Sequence, residues 1–253
     1  MTHSYQFVPF IDPSIFRAYD IRGIVDEVLT ENAVYTIATI FAAKQKSEGV
    51  SKLYVARDGR LSADRLSQAL FAGCCDGGCD VIDIGAVPTP LLYYATRVGQ
   101  TSSGIMLTGS HNPKHHNGLK IIAHGSVLAE GGITHLNPQY HPHVQPSAIG
   151  TRSTESMIDR YIDDVLQRIH LKRRMKIVID CGNGITGVLA EKFYSALGCD
   201  VIPLFTKVDG HFPNHHPNPS EDHNLIDLIK AVKTHQADCG LAFDGDGDRV
   251  GVI

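Results

Sequence analysis

No stretch of this 253-residue chain is apolar for long enough to span a membrane. The opening residues, Met1-Thr2-His3-Ser4-Tyr5, have neither the charged segment nor the apolar core of a signal peptide. Neither secretion nor a membrane partner is therefore expected. Excess charge of one sign is also missing: 23 basic and 27 acidic residues leave a net charge of −4. With no basic stripe, nucleic acid is excluded as a main partner. The six cysteines (Cys74, Cys75, Cys79, Cys181, Cys199, Cys239) form no Cys-x-x-Cys pair. They read as buried free thiols of a reducing cytoplasm, rather than as disulfides or a zinc site. What remains is ordinary for a globular protein: 43% hydrophobic and 20% charged residues, in a chain long enough for one large core or two moderate ones.

Apolar periodicity alternates between helix and strand. Residues 30–48 read as a helix that Thr30 caps and Gly49 ends, with Val34, Ile37, Ala38 and Phe41 on one face. Residues 52–56 form a buried strand, and Ser62 is placed to cap a helix through Phe71. A strand at 79–84 follows, then the break Pro88-Thr89-Pro90, a helix at 91–97 and a short apolar strand at 104–107. This alternation predicts an α/β fold with mostly parallel, mixed sheets. Residues 135–150, which include Pro138, Pro142 and Pro146, read as a connection. Ser153 then caps a helix with Met157, Ile158, Tyr161, Ile162, Val165 and Leu166 on one face. The boundary falls there, giving domains at 1–153 and 154–253.

The second half echoes the first. Lys176-Ile177-Val178-Ile179-Asp180 parallels Lys52-Leu53-Tyr54-Val55-Ala56. Gly198-Cys199-Asp200-Val201-Ile202 matches Gly78-Cys79-Asp80-Val81-Ile82 residue for residue. Gly240-Leu241-Ala242-Phe243-Asp244-Gly245-Asp246 parallels Gly104-Ile105-Met106-Leu107-Thr108-Gly109-Ser110. Buried strands resemble one another, so each match alone is weak, but the common order argues for two successive copies of one α/β unit. Helices at 185–197 and around Leu225, Leu228, Ile229 and Val232 complete the second copy. The loops holding Ser110 and Asp246 would then be equivalent and face each other across a cleft.

Both loops carry chemistry. Thr108-Gly109-Ser110-His111-Asn112-Pro113 puts a hydroxyl at the C-terminal end of a strand, where open α/β sheets place ligands. Asn112-Pro113 and Asn117-Gly118 are turn chemistry, so the chain should double back into a strand at 119–122, bringing Lys120 towards the same pocket. Asp244-Gly245-Asp246-Gly247-Asp248-Arg249 sets three carboxylates at alternate positions, which is costly without a cation. Their oxygens suit Mg²⁺ or Ca²⁺. An EF-hand is ruled out because Arg249 stands where that loop needs glycine. Other features are weaker. Arg17 and Arg22, with Tyr19 and Asp20, read either as a surface loop with an ion pair or as a phosphate clamp. Gly182-Asn183-Gly184 reads first as a strand-to-helix turn. His211, His215 and His216 read as loop polarity before metal ligands. A serine hydroxyl, a hard-cation loop and several arginines together suggest phosphoryl transfer.

Taken in order, the motifs are Ala18-Tyr19-Asp20-Ile21-Arg22-Gly23, Ala56-Arg57-Asp58-Gly59-Arg60, Pro88-Thr89-Pro90, Gly109-Ser110-His111-Asn112-Pro113 with Asn117-Gly118-Leu119-Lys120, Asp180-Cys181-Gly182-Asn183-Gly184, and Asp244 through Arg249. In this the chain resembles the α-D-phosphohexomutases, most nearly the bacterial phosphomannomutase/phosphoglucomutase group. The resemblance implies a mutase that interconverts hexose 1-phosphate and 6-phosphate, of mannose or glucose. It would use a phosphoserine at Ser110 and a hexose 1,6-bisphosphate as intermediate and activator. Mg²⁺ would be held by Asp244, Asp246, Asp248 and the Ser110 phosphate. Lys120 would be the general acid/base, its pKa lowered by cations such as Arg22 and Arg249. Arg22, His111 and Arg249 would surround the phosphoryl group, with Tyr19 near the sugar. The partner expected is therefore a small sugar phosphate. Family members continue into a third domain that reads sugar hydroxyls and a fourth that binds the other phosphate. A chain stopping at Ile253 is expected to hold a reaction centre without that grip. A non-catalytic Mg²⁺- and phosphate-binding short form and an amino-sugar phosphate mutase are the alternatives.

Overall fold

A computed structural model of the chain describes residues 4–141 and 149–253; the part of the expected connection at 142–148 lies outside them. The first half runs β1 (Ile21–Ile24), α1 (Glu31–Ser47), β2 (Lys52–Arg57), α2 (Ala63–Asp76), β3 (Asp80–Ala86), α3 (Thr89–Val98), β4 (Gly104–Leu107), β5 (His116–Ala123), β6 (Ser126–Val127), α4 (Gly131–Thr134) and β7 (Arg152–Thr154). The second runs α5 (Ile158–Arg168), β8 (Lys176–Asp180), α6 (Ala190–Ala196), β9 (Asp200–Leu204), α7 (Ile226–His235), β10 (Cys239–Phe243) and β11 (Val250–Val252).

Two mixed sheets result. The first has the order β1-β5-β4-β2-β3-β7, with β6 on β5, and the second β11-β10-β8-β9. β2 lies parallel to β3 and β4, as β8 does to β9 and β10. β5 and β11 add antiparallel to β4 and β10. The run β5-β4-β2-β3 is thus repeated as β11-β10-β8-β9, the duplication that the ordered sequence echoes imply.

Strand residues alternate between two cores, as the pleat requires. Leu53, Val55, Ile105 and Leu107 enter the core with α1 and α2. Tyr54, Ala56 and Met106 enter the opposite one, with Leu91, Leu92 and Ala95 of α3 and with Met157 and Ile162. Covered on both faces, β4 is buried at every position and reads as an unbroken apolar run. In the second sheet Ile177 and Ile179 pack towards α6, and Val178 and Ala242 towards Leu228 of α7.

Local expectations fared unevenly. Thr30 caps α1, its hydroxyl accepting from Ala33 N. Ser62 holds the corresponding position of α2 but makes no side-chain cap, because its hydroxyl accepts from Asn117 Nδ2 instead. Ser153 does not cap α5. It belongs to β7, pairs with Ile82, and sends its hydroxyl to the Val81 carbonyl. Asn117-Gly118 is not a turn but lies inside β5, where a Cβ at Gly118 would come within 2.1 Å of the Ile21 carbonyl oxygen of β1. The expected helix at 185–197 divides at Leu189 into a 3-10 turn, Ile185–Val188, and α6.

Helices α1 and α2 approach closely because α2 carries glycine at the contact: a Cβ at Gly73 would stand 2.3 Å from the Tyr35 carbonyl oxygen and 2.8 Å from Ala38 Cβ. Gly73→Val is therefore expected to cost about 1–3 kcal/mol by overpacking. Urea unfolding followed by circular dichroism measures it, and an unchanged midpoint would contradict the tight crossing.

Candidate active site

The serine loop follows β4, and a buried pair from the loop after β2 shapes it. Asp58 accepts hydrogen bonds from Thr108 Oγ1 (2.9 Å) and Gly109 N (3.0 Å), and from Arg60 N (3.1 Å) and Nε (3.3 Å). The Arg60 guanidinium in turn donates to the carbonyls of Ser110 (2.8 Å), Asn112 (2.7 Å), Pro113 (2.7 Å) and His116 (2.9 Å). One side chain thus gathers four carbonyls of the serine loop and of the start of β5. The loop closes over the guanidinium so tightly that a Cβ at Gly109 would lie 2.2 Å from it. Ser110 itself sits at φ +48, a left-handed conformation uncommon outside glycine.

The Asp loop follows β10, the counterpart of β4, and meets Ser110 directly. Ser110 Oγ donates to Asp244 Oδ2 at 2.9 Å and accepts from Arg249 Nη2 at 3.1 Å. Arg249 Nε reaches Asp244 Oδ2 at 3.2 Å, and its Nη2 also contacts His111 Nδ1. A Cβ at Gly245 would stand 2.3 Å from the Ser110 carbonyl oxygen, so glycine is what lets the loops touch. Lys120 arrives from β5, its Nζ 2.6 Å from Asp246 Oδ2 and 2.5 Å from Asp248 Oδ2. Thr89, at the start of α3, donates its hydroxyl to Asp246 Oδ2 (2.5 Å) and its N–H to the Asp246 carbonyl (2.9 Å).

The electrostatics favour a cation. Asp244 and Asp246 are fully buried, and one oxygen each of Asp244, Asp246 and Asp248 lie within 4.8 Å of one another. Burial, then the charges of Asp246 and Asp248, push the Asp244 carboxyl up to about 8. Asp246 Oδ1 is buried without a hydrogen-bond partner. Three hard oxygen donors, one with an unused lone pair, fit a small divalent cation such as Mg²⁺. Lys120 departs from expectation. It lies between carboxylates rather than among guanidiniums, and although burial lowers its pKa, Asp246 and Asp248 outweigh that and raise it.

Ser110, His111, Lys120, Arg249, Asp244, Asp246 and Asp248 therefore form one cluster. Arg22 joins it only at second hand, donating to Asn112 Oδ1 (3.1 Å) and pairing with Asp20 (2.6 Å). Tyr19, 67% exposed, lines with Arg17, Arg22, Glu27 and His116 an open cavity of about 730 Å³ beside the serine loop. Asp58, Arg60 and Thr89 were not singled out as site residues from the sequence. Each lies in a motif, but a buried guanidinium seeking carbonyls leaves no local pattern.

The chain matches two family models: phosphoglucomutase/phosphomannomutase, alpha/beta/alpha domain I, over residues 13–136, and domain II over residues 159–253. It is 48% identical over 245 residues to a phosphomannomutase/phosphoglucomutase of Pseudomonas aeruginosa, covering 97% of this chain and 53% of that protein. A phosphoglucomutase of Neisseria gonorrhoeae is 44% identical over 245 residues, covering 96% of this chain and 53% of that protein. The crystal structure of a phosphoglucomutase/phosphomannomutase family protein from Burkholderia thailandensis superposes with a TM-score of 0.92 at 40% identity, covering 96% of this chain and 55% of that one. The chain spans about half the length of the curated relatives it matches.

Asp246→Asn is expected to weaken Mg²⁺ binding by about tenfold or more, since even outer-shell changes reach that scale. Isothermal titration calorimetry measures it, and unchanged affinity would remove the carboxylates from the cation site. The cation must also displace the proton that Asp244 keeps up to about pH 8. Wild-type affinity is therefore expected to climb from the ordinary carboxylate range, about pH 4, and to level off above about pH 8; a flat profile would contradict the raised pKa.

Proposed function

We propose, because the chain belongs to the phosphoglucomutase/phosphomannomutase family, that it carries the reaction centre of a hexose-phosphate mutase. The observation that carries this reading is Ser110 Oγ held 2.9 Å from a buried aspartate of the opposite loop. A hydroxyl placed against a hard-cation site is where a phosphoryl group can be carried and its charge balanced. The names of the Pseudomonas and Neisseria relatives favour mannose and glucose phosphates over amino-sugar phosphates.

Ser110 is the phosphoryl carrier. Its Oγ–P bond breaks as a sugar hydroxyl forms its own bond to phosphorus, and the bisphosphate so made returns its other phosphoryl group to Ser110. Asp244, Asp246 and Asp248, with the Ser110 phosphate, hold Mg²⁺, which supplies positive charge that offsets the phosphoryl oxygens. Lys120, kept as an ammonium among carboxylates, gives a proton to the sugar oxygen when that oxygen leaves phosphorus. That leaves a neutral Lys120 amine, which takes the proton of the attacking sugar hydroxyl in the opposite direction. Ser110 Oγ passes its own proton to His111 Nδ1, 3.3 Å away, when it attacks and regains it when it leaves. Arg249 and His111, already at Ser110 Oγ, flank the transferring group. Arg22 and Tyr19 face the sugar phosphate from the neighbouring cavity. The boundary between the two units is placed just after Thr154, the last residue of β7 and of the first sheet, one residue beyond the expected break. A cytoplasmic setting is supported by six cysteines that all stand as free thiols, and no helix among the described residues is long and apolar enough to cross a membrane.

With Mg²⁺ and a hexose 1,6-bisphosphate, the chain is expected to take up one phosphoryl group, and Ser110→Ala to abolish that uptake. Intact-mass spectrometry reads it, and labelling that persists in the variant would point to another acceptor. Lys120→Met is expected to slow transfer by about a hundredfold or more while leaving the circular dichroism spectrum intact. An untouched rate would take the proton role away from Lys120.

A further inference from the structure

The loop at 205–221, between β9 and the turn that opens α7, belongs to the second unit but lies on the serine loop of the first. His216 Nε2 donates to the His111 carbonyl at 2.6 Å. Four residues earlier, the Phe212 ring lies over the Arg60 guanidinium, 5.6 Å from carbon to centroid. That guanidinium is the one that gathers the serine-loop carbonyls. The approach is close along its length: a Cβ at Gly210 would come 2.6 Å from Leu61 N.

The loop is built to be rigid. His215 faces an acceptor at each ring nitrogen: Nε2 donates to the buried Asp180 carboxylate (2.9 Å) and Nδ1 to the His216 carbonyl (3.0 Å). It therefore ties the peptide of its neighbour to the end of β8. Asn183 donates to the Lys207 carbonyl (2.8 Å) and accepts from Asn214 (2.8 Å), while its own carbonyl accepts from Asp209 N (3.0 Å). Two bulky residues are held at left-handed angles, Phe205 at φ +50 and Phe212 at φ +53. Such angles persist only where the surroundings over-determine them. Here they turn the Phe205 ring onto His215 and the Phe212 ring onto His216, with centroids 5.4 and 6.5 Å apart.

We infer that this loop is a clamp that sets the position of Ser110 from the second unit, with His216 and Phe212 as its positioning residues. Neither touches the Ser110 hydroxyl. His216 fixes the peptide between His111 and Asn112, one residue beyond Ser110, and Phe212 fixes the guanidinium beneath the loop. The inference rests on the reading of Ser110 as the phosphoryl carrier, and it deepens that reading. Positioning of this kind matters because small displacements of a reacting group cost rate out of proportion to their size.

Hydrogen exchange by mass spectrometry on the whole 253-residue chain tests the clamp without calling on activity. His216→Ala is expected to speed exchange of the 109–112 amides by about tenfold, as the loss of one ordinary hydrogen bond implies. Exchange in β2 and β4 stays unchanged. His216→Gln, which keeps a donor, is expected to restore much of the protection, and Phe212→Leu to loosen the same amides. Phosphoryl uptake from a hexose 1,6-bisphosphate should slow by a similar factor in His216→Ala, with Mg²⁺ affinity unmoved. Serine-loop exchange that does not change, or loosening spread through the whole chain in all three variants, would overturn the inference. A wild-type chain that takes up no phosphoryl group would overturn the proposed function instead, and the exchange data would still decide the clamp.

Discussion

Three carboxylates in one loop, two of them fully buried, repel one another unless positive charge stands among them. Much of the arrangement around them answers that constraint. Lys120 reaches in from β5 and Arg249 folds back from the loop's own end, while the Ser110 and Thr89 hydroxyls each donate a proton to the group. Lys120 of β5, Thr89 of α3 and Ser110 of the loop after β4 all belong to the first unit. The neutralisation of the Asp loop is therefore also a joint between the two units. An oxygen of Asp246 is still left over, and Asp244 holds its proton up to about pH 8, so the compensation is incomplete without a cation.

Duplication explains how a hydroxyl comes to face that loop. β4 and β10 occupy the same place in two sheets of the same order, so the loops that leave their C-terminal ends are equivalent. One copy spells Thr108-Gly109-Ser110 and the other Asp244-Gly245-Asp246. In each copy the middle glycine allows a contact that any side chain would block, Gly109 against Arg60 and Gly245 against the Ser110 carbonyl. Facing copies turn a common structural position into two complementary chemical parts.

Features set by local pattern were legible in the sequence. Period and punctuation located β2, β4, β8 and β10, the Thr30 cap and the order of the repeat, because each depends on a few neighbouring residues. The Asp loop was legible because like charges at that spacing are costly in any fold. Positions where a tertiary partner competes with the local rule were not. Ser62 looks like a cap, but Asn117 takes its hydroxyl from across the sheet. Ser153 looks like another and is a strand residue. Asn117-Gly118 looks like a turn, yet its glycine is there for the crowding of β1. The surroundings of Lys120 could not be read either, since spacing gives reach but not which charge waits at the end of it. His216 read as loop polarity because nothing in its neighbours announces the His111 carbonyl.

The most direct measurement of whether the two loops form one centre uses Mn²⁺ in place of Mg²⁺. The chain is prepared with phosphoserine inserted at position 110, and electron–nuclear double resonance is recorded on the bound ion. The expected spectrum shows a phosphorus hyperfine coupling from the Ser110 phosphate, which disappears when Asp246 is replaced by asparagine. An ion bound at full occupancy with no phosphorus coupling would contradict it, because serine and carboxylates would then be two separate sites.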